Sequence, residues 1–210
     1  MRKIVTVILD PAHGSDVKGK SSPDGKHREY QWSRMISKML EEALVEKGYT
    51  VAYTTKSDIE IGLTKRKQNA DNQVIEKGNI KLLLSNHNNA AGSDGKWHTA
   101  RGCEIWTSKG KTLSDLFADE LFRGLHTEFP EGSVVKYRYG DPSTGNKDKD
   151  ENFTVLMGGS YYACLIEWLF QDNQDDVAML QDPKCNEKYV KAIVQGVEYI
   201  NEYAYSKLNK

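Results

Sequence analysis

Apolar positions along the chain fall into short β-branched runs that alternate with longer stretches of helical spacing. Residues 4–9 form a largely apolar run that stops at Pro11 and Gly14, which predicts a buried strand entering a loop. From Glu29 to Lys47, Trp32, Met35, Ile36, Met39, Leu40, Ala43 and Leu44 recur at helical spacing, and Gly48 supplies a C-terminal stop. Residues 49–55 alternate as a strand, 63–70 read as a short helix, and 80–84 as another buried strand.

A polar loop is expected over 86–99, then a strand over 102–107. A helix follows over 112–126, with Leu113, Leu116, Phe117, Leu121 and Leu125 on one stripe. Residues 139–152, rich in Gly, Asp, Lys and Asn, predict a flexible surface loop; strands are expected over 153–157 and 162–170, and a final helix over 188–207. Repeated strand-helix alternation predicts an α/β fold: one three-layer domain over residues 1–210, with a mostly parallel or mixed central sheet flanked by helices.

Composition narrows the function classes. At 210 residues and 38% hydrophobic content, one sizeable core is possible and a second full domain would be cramped. Lys and Arg total 29 against 30 Asp and Glu, so a net charge of -1 gives no electrostatic reason to expect a nucleic-acid partner. No apolar stretch approaches the roughly 20 residues needed to span a bilayer, so no stable membrane insertion is expected. The N-terminus is basic, but Asp10 and His13 end its apolar run too early for a signal peptide, and the expectation is a chain without its own export signal. Cys103, Cys164 and Cys185 make no CxxC pair; Cys103 and Cys164 sit in strand-like runs as buried thiols.

Candidate chemistry lies where strands end. The first strand exits into Asp10 and His13, the third into Ser85, Asn86 and His87, and the last carries Glu167 inside an apolar run. In open α/β sheets such strand ends are where ligand sites assemble. Glu29 opens the first long helix, so the chain turns back toward the same edge. Two imidazoles and a carboxylate are the ligand set of a hydrolytic zinc site with a fourth position left for water, although spacing alone does not make the three converge. A glutamate within an apolar run needs a reason to be there, and service as general base beside zinc is one.

The segment GSDVKGKS over 14–21 matches the Walker A pattern, but Ser22, Pro23, Asp24 and Gly25 make a turn where a P-loop would open a helix, so the match is read as chance.

Taken together, ILDPAHG (8–14), Glu29 at a helix start, GYTV (48–51), LTKR (63–66), LSNHNNA (84–90), GCEI (102–105) and ACLIEW (163–168) make the chain resemble the zinc-dependent N-acetylmuramoyl-L-alanine amidases of the Amidase_3 type. The resemblance covers nearly the whole chain. It implies one zinc ion held by His13, Glu29 and His87, with Glu167 as catalytic acid/base. It also implies hydrolysis of the amide between N-acetylmuramic acid and L-alanine in peptidoglycan, the expected partner. Ala12 stands where the family has glycine, Asn86 and Asn88 flank the second histidine, and Trp168 and Phe170 are bulkier than usual. A long regulatory helical insertion known in cellular relatives has no counterpart here beyond the short polar loop, so autoinhibition is not expected. A monomer made in the cytoplasm and acting at the cell wall, as a phage endolysin does, is the expectation, with a secreted bacterial enzyme as the alternative source.

Two other function classes share features with this reading: a zinc peptidase with a different substrate groove, and a wall-binding module without catalysis. His27 is expected at the surface, His98 in a solvent-facing loop, and His126 at a helix end where a cation suits the dipole. Arg66 is expected to hold a helix to the sheet, with contact to the acidic stem peptide as the alternative. Tyr137, Tyr139, Tyr161 and Tyr162 are expected to pack at the rim, with a glycan groove as the alternative.

Overall fold

The computed structural model describes residues 1–141, 145–157 and 159–208. Six strands form one mixed sheet: β1 (Val5–Pro11), β2 (Thr50–Tyr53), β3 (Ile80–Asn89), β4 (Cys103–Thr107), β5 (Lys149–Asp150) and β6 (Tyr162–Phe170), in the order β2-β1-β3-β6-β4-β5. β2, β1, β3 and β6 run parallel, β4 lies antiparallel to β6, and β5 pairs parallel with β4. The helices are α1 (Glu29–Glu46), α2 (Leu63–Asp71), α3 (Leu113–Glu128), α4 (Gln174–Gln181) and α5 (Pro183–Leu208).

Alternation along the strands sorts the core into two unequal halves. Val5, Val7 and Leu9, Leu82 and Leu84, and Cys164 and Ile166 pack beneath α1, α3 and α5. Ile8, Leu83, Ala163 and Leu165 face the other way, where Ala70 of α2 and the buried pair Val155 and Leu156 cover them. On the thick side α3 and α5 cross with their backbones almost touching. A Cβ on Gly124 would stand 2.3 Å from the carbonyl oxygen of Ala192, so only glycine fits there. The thin side leaves the C-terminal ends of β1, β3 and β6 partly uncovered, and a cleft opens there.

Most expected elements are present, and the differences have physical causes. β3 extends five residues past the expected end, to Asn89, because β1 and β6 supply a ladder on both sides of Ser85 and Asn86 and β6 continues it through His87. Residues 153–157 form a turn instead of a strand: Leu156 N donates to Phe153 O at 2.8 Å, and Val155 and Leu156 plug the thin face. β5 lies inside the expected loop 139–152, part of which falls outside the described residues. α4 was not anticipated; Asn173 caps it by accepting from the backbone N–H groups of Asp175 and Asp176. α5 begins earlier than expected, at Pro183, where Asp182 accepts from Lys184 N at 3.0 Å and proline suits the first helical position. All three cysteines are buried free thiols. Among the described residues no helix is long and apolar enough to cross a membrane.

Candidate active site

Three elements deliver the candidate ligands to one point. His13 follows β1 in the left-handed region, φ 47°, a conformation costly for a side chain with a Cβ. Two guanidinium groups hold that turn: Arg34 Nη2 donates to the His13 carbonyl at 2.8 Å and Arg66 Nη2 at 3.2 Å. His87 lies on β3 itself, in register with Glu167 on β6. Glu29 is the first residue of α1 and only 1% exposed.

The donor atoms of His13, Glu29 and His87 all lie within 4.8 Å of one another. Glu29 Oε1 is 3.0 Å from His87 Nδ1 and 3.5 Å from His13 Nε2. A tetrahedral ion with bonds of about 2.0–2.1 Å places its ligand atoms roughly 3.4 Å apart, a spacing that the two glutamate–histidine distances approach, and two imidazoles with a carboxylate are donors that zinc accepts. Burial lowers the His13 pKa to about 4, so its ring is neutral and able to ligate at pH 7. At Glu29 burial favours the acid form, but the hydrogen bond and charge of His87, with the charges of His13 and Lys20, outweigh it and lower the pKa. Burial also disfavours a charged His87, and Glu29 overrides it to raise that pKa.

Beside this trio is a cleft of about 360 Å³ whose lining includes His13, His87, Glu167, Lys20, Phe153 and Val155. Glu167 Oε2 is buried without a hydrogen-bond partner among the described residues. Burial, with Glu29 adding and His87 opposing, raises the Glu167 pKa to about 7, which suits a group that must both take and give a proton.

Residues 7–199 match the Amidase_3 family, described as N-acetylmuramoyl-L-alanine amidase. The chain belongs to this family. The probable cell wall amidase LytH of Staphylococcus epidermidis is 25% identical over 194 residues, 92% of this chain and 57% of the relative. LytH of Staphylococcus aureus is 27% identical over 197 residues, again 92% of this chain and 57% of the relative. The chain thus spans little more than half the length of these curated relatives. The crystal structure of an N-acetylmuramoyl-L-alanine amidase from Clostridium difficile 630 superposes with a TM-score of 0.78 at 25% identity, covering 96% of this chain and 98% of that one.

Within this amidase fold several side chains have roles the sequence did not disclose. His27 is buried, contrary to expectation, because its Nε2 hydrogen-bonds Asn88 Oδ1 at 2.8 Å beneath the turn that closes at Ser22. Asn88 in turn donates to the carbonyls of Trp168 and His87, at 2.8 and 3.2 Å, and its backbone N–H donates to Glu29 Oε1 at 3.1 Å. Gln171 reaches Glu29 Oε2. Lys20 lines the cleft close enough to influence His13, Glu29 and Glu167. Of the four, Asn88 lies in LSNHNNA and Lys20 in the chance Walker A match, while His27 and Gln171 stand in no motif; no sequence signal points to any of these contacts.

Arg66 is structural. All its N–H donors go to Glu60, Asp10, the Pro11 carbonyl and the His13 carbonyl, which leaves none for a substrate. The segment 14–28 winds as loop and turn before α1, as the rejection of a P-loop requires. His98 is half-buried and pairs with Asp94 at 2.9 Å. Tyr137 and Tyr139 stack on each other around His126, and Tyr162 packs edge-on against Phe117, so these rings serve packing.

Proposed function

We propose that the chain hydrolyses the amide bond between N-acetylmuramic acid and the L-alanine of the stem peptide in peptidoglycan, with one zinc ion held by His13, Glu29 and His87. The observation that carries this reading is the convergence of two imidazoles and a carboxylate at a cleft that also holds Glu167. When bound, the ion supplies Lewis acidity, which polarises an amide carbonyl and makes water nucleophilic at neutral pH.

The chain's own residues do the rest. The Glu167 carboxylate takes a proton from the attacking water and hands it to the leaving nitrogen, so that the amine departs neutral. Val155 and Leu165 form an apolar wall that limits water in the cleft, and Lys20 offers a cation to the carboxylates of the stem peptide. The outcome is cell-wall lysis or remodelling.

Mass spectrometry of products from purified peptidoglycan tests the reading, using the zinc-loaded protein, the chelator-treated protein and Glu167→Ala. Release of intact stem peptides with a free L-alanine amine by the zinc-loaded protein alone supports the amidase. Cleavage within the stem would make it a peptidase, and absence of cleavage a binding module.

A further inference from the structure

Gln171 directly follows β6, and the residue is 1% exposed. Its backbone N–H donates to Asn89 O at 2.8 Å, which ties it to β3 just past the register shift between His87 and Asn89. Its Nε2 lies 3.2 Å from Glu29 Oε2. Only the amide nitrogen can face a carboxylate in this way, since the reversed amide would set two acceptor oxygens against each other.

The remaining oxygen, Gln171 Oε1, is buried and makes no hydrogen bond among the described residues. A buried acceptor without a partner destabilises the fold, and an apolar side chain of similar size would fill the space without that cost. Packing therefore does not account for glutamine here. Its amide acts on Glu29: with Oε2 held by Gln171, the other oxygen, Oε1, is the one turned toward His87 Nδ1 and His13 Nε2.

We propose that Gln171 is a positioning residue for the metal site, pinning one oxygen of Glu29 so that the other points at the two imidazoles. The inference rests on the reading of His13, Glu29 and His87 as zinc ligands. Partners that orient a ligand in this way contribute about 10- to 100-fold in metal affinity.

The test is zinc affinity, measured by competition with a chromophoric chelator, alongside the melting temperature of the metal-free protein. Gln171→Met keeps the volume and removes the donor; Gln171→Asn keeps the amide but withdraws it by one methylene. Both should weaken zinc binding about 10- to 100-fold, and both metal-free variants should fold, with Gln171→Met melting somewhat lower because Glu29 Oε2 loses its donor. Unchanged affinity with a wild type that binds one zinc would overturn this inference alone. Metal-free Gln171→Met and Gln171→Asn that both fail to fold would also overturn it, assigning Gln171 to the fold. A wild type that binds no zinc would overturn the reading of the site, and this inference with it.

Discussion

Arg66 Nη1 lies 2.8 Å from Asp10 Oδ1, and both side chains are only 2% exposed. The pair joins α2 to the end of β1, and the same guanidinium grips the carbonyl of His13, so packing and site geometry meet in one side chain. Asp10 also accepts from Thr54 and from Ser85 Oγ, the latter at 2.6 Å. Arg66→Met strands that carboxylate in the interior and should cost about 3–5 kcal/mol. Urea denaturation checks this, and the double variant Arg66→Met/Asp10→Asn should recover part of the loss.

Glu167→Gln keeps the shape of the side chain and removes its capacity to carry a proton. Turnover on peptidoglycan should fall about 10²- to 10⁴-fold. Zinc stoichiometry by elemental analysis should stay as in wild type, because Glu167 lies outside the ligand trio.

Lys20 is a cleft-lining cation, and Arg66, the other one, is fully engaged by the protein. Lys20→Met should raise KM for stem peptides with free carboxylates about 2- to 5-fold, with kcat nearly unchanged. Amidated stem peptides should show a smaller effect, and added salt should shrink the difference.

Asp148 is 4% exposed and accepts from Thr107 Oγ1 at 2.7 Å. Burial, with Asp115 nearby, raises its pKa from 3.8 to about 6. The folded state thus binds this proton more tightly than the unfolded chain, so the stability it contributes is complete below about pH 4 and is lost as pH rises through 6. Asp148→Asn should exceed wild type in stability above pH 6, by on the order of 2 kcal/mol, and match it near pH 4. Thermal melts across pH 4–8 would show the gap opening with rising pH.

Much of this fold was legible in the order of residues because its elements are strongly periodic. The stripe of Trp32, Ile36, Leu40 and Leu44 identified α1, and the apolar run before Asp10 identified β1. The weaker assignments share a cause. Residues 153–157 carry a strand-like composition, yet Val155 and Leu156 are apolar because they plug the thin face of the sheet, which no local pattern reveals. β3 continued through Ser85 and Asn86 because Asp10, Ser33 and Tyr189 supply hydrogen-bond partners from distant positions. The burial of His27 is invisible in the local sequence because its partner, Asn88, lies 61 residues away.

By itself the sequence determined the alternation of strands and helices, the absence of a cysteine framework, and the identity of His13, Glu29, His87 and Glu167 as the residues worth following. Periodicity and residue chemistry are local properties, and they are written in the chain. Tertiary structure decided which of those residues meet, that Arg66 is consumed by the protein, and that Asn88 and Gln171 hold Glu29 from two sides. These are relations between β1, α1, β3 and the end of β6, brought together by pairing in one sheet, and distance between such elements has no signature in any single segment.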